Sequence, residues 1–227
     1  MRNDPLSEPR WQPAWAAPLD FPITRKVDKS SQDEFWRYLV VPAVLHIPLV
    51  LGLQAFSSLG LVYVLSLLVI GLAQLTKEKP DGLFLVCGYI ASAELIWRMT
   101  KAPVFWESGK YLLVLLMGLG ILRWKFKLAG KPLLYFLLLV PAVFITLNTV
   151  NLSTARDSIS FNLSGPLLLT VSAIFFNGIR LKRLTFNRFL LLSIVPITGI
   201  WFLAIRSTLG GSGVLFSDTS NFATSGG

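Results

Sequence analysis

Residues 61–97 decide the fold class of this chain. They form two apolar blocks on either side of a charged loop: LVYVLSLLVIGLAQL (61–75), TKEKPDG (76–82) and LFLVCGYIASAELIW (83–97). Apolar blocks of about 15 to 20 residues recur along the sequence, and a helix of about that length crosses the roughly 30 Å hydrocarbon core of a bilayer. The pattern therefore predicts an all-α fold, a polytopic transmembrane helical bundle.

The composition excludes a soluble globular domain. Hydrophobic residues make up 53% of the 227 residues and charged residues only 15%, with a mean hydropathy of +0.62, whereas a soluble domain carries about 25% charged residues. The single Cys87 cannot form an internal disulfide, and the single His46 leaves no histidine cluster, so no metal site is expected. We interpret His46 as a packing or hydrogen-bonding residue in the middle of a span rather than a proton-transfer group.

We divide the chain into a cytoplasmic N-terminal tail (1–37), a transmembrane bundle (38–206) and a periplasmic Gly/Ser/Thr-rich segment (207–227). Seven spans are predicted, near residues 38–56, 61–75, 83–97, 111–122, 132–150, 166–179 and 189–205. Pro166 is expected in the first turn of the sixth span. Asn151-Leu-Ser153 and Asn162-Leu-Ser164 match the N-glycosylation pattern, and we interpret both as ordinary turn residues before that span.

The net charge of +9 fits the positive-inside rule. With a cytoplasmic N-terminus, 16 of the 21 Lys and Arg residues fall on the inner side and five on the outer side. The two most basic loops, 123–131 and 180–188, both fall inside. Because topology explains the charge and no basic motif with interleaved aromatics stands outside these loops, we expect the lipid bilayer, and no nucleic acid, as a partner.

The five outer basic residues run against this bias: Arg98, Lys101, Lys110, Arg156 and Arg206. One interpretation is a basic pocket at the outer membrane surface that holds an anion such as a lipid phosphate; its candidate residues are Arg98, Lys101 and Lys110, with Arg156 further away. The other interpretation is interfacial snorkelling, with Glu94 and Arg98 as a structural ion pair. Glu94 and Arg98 are spaced i, i+4 and share one helix face.

Three stretches resemble segments of the O-antigen ligase and polysaccharide polymerase family. They are FSDTSNFATSGG (216–227), the loop RMTKAPVFWESGKY (98–111) and FNLSGP (161–166). The C-terminal stretch is similar to a Ser-Asn…Ser-Gly-Gly stretch that leads into Phe-Gly-Pro-Asn-Gln in the family. The loop 98–111 resembles the polar loop after an early span, and FNLSGP resembles a periplasmic segment before a span. The resemblance extends over residues 38–227.

The resemblance implies a multi-pass protein of the bacterial inner membrane that transfers a glycan from a polyprenyl-diphosphate carrier, such as undecaprenyl diphosphate. The lipid diphosphate is the leaving group, so no cofactor or metal is implied. Arg98, Lys101 and Lys110, with Arg156, would contact the diphosphate. We therefore expect an N-terminal part of a membrane glycan polymerase or ligase.

Family members differ from this chain in two respects. They have ten or more spans, and their candidate base is a His in a large loop of the C-terminal half, where His46 cannot substitute. We therefore expect the protein to continue beyond Gly227, with the catalytic residue unassigned here and the isolated segment inactive. Two rival functions remain open: a transporter or flippase for lipid-linked glycans, and a non-catalytic membrane scaffold.

Overall fold

The computed structural model describes residues 32–33, 35–149 and 152–209, and all regular structure within them is helical. Residues 1–31 of the predicted tail and residues 210–227 of the predicted C-terminal segment, including the FSDTSNFATSGG stretch, lie outside the described residues. Asn151 of the first glycosylation-like pattern also lies outside them. The all-helical fold class predicted from the sequence is thus confirmed for the part of the chain that the structure describes.

A π-helical turn at Trp36–Val40 runs directly into the first α-helix. The helices are α1 (Val41–Ala55), α2 (Leu59–Leu75), α3 (Asp81–Met99), α4 (Ser108–Trp124), α5 (Gly130–Thr149), α6 (Leu152–Gly178) and α7 (Arg183–Leu209). Within the part of the chain that the structure describes, five helical stretches are long and apolar enough to cross a membrane: Trp36–Ala55, Asp81–Met99, Gly130–Thr149, Ser158–Gly178 and Arg183–Arg206. The 17-residue α2 is apolar but shorter. This is the pattern of a multi-pass membrane protein.

Helix α6 differs from the sequence prediction at its start. It begins at Leu152, so Asn162-Leu-Ser164 is helical and its interpretation as a turn is wrong. Pro166 lies inside the helix rather than in its first turn. Packed membrane helices tolerate an internal proline, and the polar stretch before it finds a partner outside the helix, because Ser160 and Ser164 direct their hydroxyls to a carboxylate on a neighbouring loop.

Helix α3 lies at the centre of the bundle, in contact with α2, α4 and α7. Its buried face includes Leu83 and Ile90, both fully inaccessible, and Leu116 of α4 and Phe175 of α6 pack into the same core. By contrast, α5 packs mainly on α6, and none of its residues is buried. An apolar helix exposed on nearly all sides fits contact with lipid, because the bilayer replaces the protein core as its solvent.

The connections between helices gather at two ends. The first, here called the α3–α4 end, holds the loop 100–107; there Ala102 packs against Gly60, which has no side chain to keep the two backbones apart. The second, the α2–α3 end, holds the loop 76–80, where the Trp124 indole donates a hydrogen bond to the Glu78 carbonyl oxygen (3.1 Å). Neighbouring helices in sequence therefore run antiparallel.

Candidate functional site

Polar side chains concentrate at the α3–α4 end. Helix α3 ends with Lys101 in the left-handed conformation (φ 53°), and the Ala102 amide donates back to the Trp97 carbonyl oxygen (3.0 Å). This pattern is a Schellman cap, in which the left-handed position usually holds glycine. It turns the chain sharply out of α3 and starts the loop 100–107, which carries Trp106 and Glu107 to the beginning of α4.

Arg98 lies in the last turn of α3 and is held on two sides. Its guanidinium donates to the Glu94 carboxylate one turn earlier and lies 4.5 Å from the centre of the Trp106 ring. A guanidinium over an indole face is attracted by the ring quadrupole. The side chains of Arg98 and Glu94 are 22% and 15% exposed, so the pair is mostly covered. We call Glu94, Arg98 and Trp106 the Arg98 cluster.

The first turn of α4 fixes the position of Glu94. A Cβ added to Gly109 would lie 2.6 Å from the Glu94 carboxyl carbon, so only glycine lets α4 approach this closely. The Glu94 carboxylate is thereby placed against the N-terminal turn of α4, where the helix dipole favours negative charge. The sequence gives no sign of this contact, because Glu94 and Gly109 belong to different helices.

Glu107 is the centre of a second group of polar residues, here called the Glu107 cluster: Glu107, Lys110, Tyr111, Ser160 and Ser164. Glu107 is only 3% exposed. Lys110 Nζ and Ser164 Oγ both donate to its Oε1 at 2.8 Å, and Ser160 Oγ donates to its Oε2 at 2.9 Å. The Tyr111 hydroxyl lies 2.7 Å from Ser160 Oγ and donates to it, since the Ser160 hydrogen is already used. The cluster joins α4 to α6.

Burial and hydrogen bonding have opposite effects on the pKa of Glu107. Burial raises it, because a charged carboxylate loses solvation, and the hydrogen bonds from Lys110, Ser164 and Ser160 lower it. The hydrogen bonds prevail, so the pKa of Glu107 lies below its ordinary value. Glu107 is therefore a carboxylate at neutral pH, and its charge stabilises the contact between α4 and α6.

The structure places the predicted diphosphate contacts in three different settings. Arg98 and Lys110 flank the start of α4, each against its own carboxylate. Lys101 is exposed at the cap of α3. Arg156 belongs to an early turn of α6, but its side chain lies outside the description. The fifth predicted outer basic residue, Arg206, donates to the Gln54 amide oxygen (3.3 Å) at the ends of α7 and α1.

Unpartnered polar atoms also gather at this end. Among the side chains that the structure describes, three buried nitrogen or oxygen atoms have no hydrogen-bond partner: Trp97 Nε1, Arg98 Nε and Ser108 Oγ. All three carry a hydrogen that can be donated. A buried donor without an acceptor costs about 1–3 kcal/mol, so an acceptor oxygen from a ligand or from water would stabilise each of the three.

A groove of about 310 Å³ between α2 and α4 has Ser108, one of these three residues, in its lining. Phe105, Ser108 and Tyr111 line it near the α3–α4 end, and aliphatic side chains including Val64, Leu68 and Leu115 line the remainder. A surface with hydroxyl groups at one end and only apolar side chains beyond them matches an amphiphile with a polar head and a hydrocarbon chain.

His46 forms hydrogen bonds in the interior of the bundle. Its Nδ1 lies 2.8 Å from the Pro42 carbonyl oxygen and its Nε2 lies 2.6 Å from the Tyr89 hydroxyl, which in turn lies 2.7 Å from the Tyr63 hydroxyl. The hydrogen-bonding role predicted for His46 is present, but its side-chain partner Tyr89 comes from α3, and Tyr63 of α2 bonds to Tyr89 in turn. Sequence spacing could not identify them, because no pattern within α1 points to either tyrosine.

Comparison with known proteins leaves the family open: no protein-family model, curated protein or solved structure matches this chain. Within the described residues, no three His, Cys, Asp or Glu side chains gather in a group that could hold a metal ion. The arrangement at the α3–α4 end offers hydrogen-bond donors and fixed charges instead.

Proposed function

We propose that this chain is a multi-pass protein of the bacterial inner membrane that holds a polyprenyl-diphosphate-linked saccharide at its α3–α4 end. It would form the N-terminal part of a glycan polymerase or ligase. The observation that carries the proposal is that Trp97, Arg98 and Ser108, at the end of α3 and the start of α4, each have a buried donor without a partner, at the end that also carries Lys101 and Lys110. A diphosphate supplies the acceptor oxygens that these donors need.

The α2–α4 groove supports a lipid rather than a soluble phosphate as the ligand. It leads from Ser108 and Tyr111 towards Leu115, and beyond Tyr111 the described residues that line it are aliphatic. The first prenyl units of the carrier would lie there, with the diphosphate at the polar end of the groove. To reach Arg98 Nε, a phosphate oxygen would displace Trp106, which is 37% exposed and lies on the loop 100–107.

We propose the same topology that the positive-inside rule predicts, with seven crossings. The α2–α3 end would face the cytoplasm, because it carries the loop 76–80, the loop 125–129 and the start of α7, with most of the basic residues. The α3–α4 end would face the periplasm. Helices α2 and α4 have 17 residues each and would be about 25 Å long, which requires local thinning of the bilayer.

A non-catalytic membrane scaffold is the second candidate function. The observation that favours it is the pairing of Arg98 with Glu94 and of Lys110 with Glu107, since both cations are then neutralised within the protein. Under this alternative the two clusters only hold α3, α4 and α6 together. The two functions differ in whether Arg98 contributes binding energy to a lipid diphosphate.

The test is binding of undecaprenyl diphosphate to the purified protein in nanodiscs, with undecaprenol as the ligand that lacks phosphate and whose affinity Arg98→Ala should leave unchanged. We expect Arg98→Ala to raise the Kd roughly 10- to 150-fold, the equivalent of one charge-assisted hydrogen bond of about 1.5–3 kcal/mol. Arg98→Lys should recover only part of the loss, since a point charge does not replace a planar fork. Lys131→Ala is the control, because it also removes one positive charge but lies at the α2–α3 end, away from the proposed site. Equal affinities for the wild type and Arg98→Ala would contradict the proposal.

A further inference from the structure

A second groove, between α1 and α2, has a different chemistry. It measures about 400 Å³ and is lined by aliphatic residues of α1, such as Leu49 and Leu53, and of α2, such as Val62. Among the described residues that line it, two have polar side chains, Tyr63 and Ser66, and none is charged. The selectivity of the groove therefore depends on these two hydroxyl groups.

The hydrogen bonds of His46 determine what the Tyr63 hydroxyl can offer. A carbonyl oxygen only accepts, so His46 Nδ1 donates to Pro42 and carries the ring hydrogen. The ring is neutral, because its partners are a carbonyl and a phenol rather than a carboxylate, and a cation at this depth would cost several kcal/mol. Nε2 therefore accepts from Tyr89, whose only hydrogen is then used, and Tyr63 must donate to Tyr89.

Both hydroxyl groups of the groove are consequently acceptors towards a ligand. Tyr63 uses its hydrogen on Tyr89, and Ser66 Oγ donates to the Val62 carbonyl oxygen (2.8 Å). Each oxygen keeps lone pairs but has no hydrogen left to donate. A ligand that is complementary to this groove must therefore donate a hydrogen bond. It should not carry carbonyl groups, because the described residues that line the groove have no hydrogen-bond donor for them.

We propose that the α1–α2 groove binds a long-chain monohydric alcohol of the membrane, such as a free polyprenol, with its hydroxyl donating to Tyr63. Tyr63 lies one helical turn, about 6 Å, below the start of α2 at Leu59. A neutral hydroxyl reaches that depth at low cost, whereas a phosphate would lose its solvation there. Diacylglycerol fits less well, because its two ester carbonyls find no donor among the lining residues.

The experiment uses the full chain in nanodiscs and three photoreactive lipids with the same diazirine-bearing chain: the alcohol, its methyl ether and a diacylglycerol. We expect the alcohol to label peptides of α1 and α2 most strongly. Tyr63→Phe should lower this labelling about 2- to 10-fold, the equivalent of one neutral hydrogen bond of about 0.5–1.5 kcal/mol. Tyr135→Phe, which removes a hydroxyl from the exposed surface of α5, should leave labelling unchanged.

Thermal unfolding of each variant is measured alongside, and Gly52→Leu provides a second variant in case Tyr63→Phe does not fold, because Gly52 lines the groove and an added Cβ meets no atom within 4 Å. Gly52→Leu should also reduce labelling by the alcohol, since its side chain would fill part of the groove. Equal labelling by the ether and the alcohol, stronger labelling by the diacylglycerol, or labelling that neither variant reduces would each overturn the proposal. The alcohol carries no phosphate, and Arg98→Ala should not affect its labelling, so this result is separate from that of the diphosphate experiment.

Discussion

Replacing Glu107 with glutamine tests the Glu107 cluster directly. The carboxylate accepts from Lys110, Ser160 and Ser164, and glutamine keeps one acceptor oxygen but turns a donor towards one of these partners. Hydrogen bonds to charged groups contribute about 1.5–3 kcal/mol. Losing a fully buried ion pair costs about 3–5 kcal/mol, but Lys110 is 26% exposed and regains water. We therefore expect Glu107→Gln to lower the free energy of unfolding by about 1.5–3 kcal/mol.

The assay is equilibrium unfolding in mixed detergent micelles, followed by circular dichroism. Glu78→Gln provides the control, since Glu78 is an exposed carboxyl on the loop 76–80. A double-mutant cycle with Lys110→Met should give a coupling energy of about 0.5–3 kcal/mol, as for other directly bonded pairs. A loss below about 0.5 kcal/mol in Glu107→Gln, the range of ordinary surface substitutions, would refute this account of the cluster.

The same cluster predicts a pH dependence with a definite sign. Because hydrogen bonds hold the folded-state pKa of Glu107 below its ordinary value, the carboxylate contributes stability above about pH 4.3, the ordinary glutamate value. This contribution is lost as the pH falls from there through the lowered pKa of the folded state. Glu107→Gln should lack this acid-induced loss. An identical pH dependence of stability in the wild type and the variant would contradict the contribution of Glu107.

Three further predictions concern other parts of the molecule. Tyr89→Phe leaves His46 Nε2 without its donor and should lower stability by about 1–3 kcal/mol in the same unfolding assay. Gly109→Val should destabilise the protein by about 1–3 kcal/mol more than Gly118→Val, because only at Gly109 does the new Cβ meet a neighbouring side chain. Cysteines introduced at Lys101 and Lys127 should react with impermeant thiol reagents from the periplasmic and cytoplasmic sides respectively; the reverse pattern would invert the proposed topology.

The hydrophobic blocks predicted the positions of the helices correctly where charged loops flank them on both sides. The block 83–97 lies within Asp81–Met99, and the block 111–122 within Ser108–Trp124. The prediction failed at α6, where composition alone marked 151–165 as a polar connection. Its serines are helical because they bond to Glu107, and that partner lies more than 50 residues away in the sequence.

The polar clusters were only partly predictable, for the same reason. The i, i+4 spacing of Glu94 and Arg98 indicated their pairing, since both residues lie on one helix face. The importance of Glu107 was missed, although Ser160 and Ser164 are also spaced i, i+4 and could have indicated a shared partner. Tyr63 and Tyr89 gave no signal, because single tyrosines are common in apolar helices and only the fold brings them to His46.

The binding of undecaprenyl diphosphate to the double variant Glu94→Gln with Arg98→Ala tests the central claim most directly. The double change removes the ion pair without leaving Glu94 as an unpaired carboxylate, so the folded protein should persist. If Arg98 holds the diphosphate, the folded double variant should bind it roughly 10- to 150-fold more weakly than the wild type. Wild-type affinity in the folded double variant would show that Arg98 only neutralises Glu94, and would contradict the proposed function.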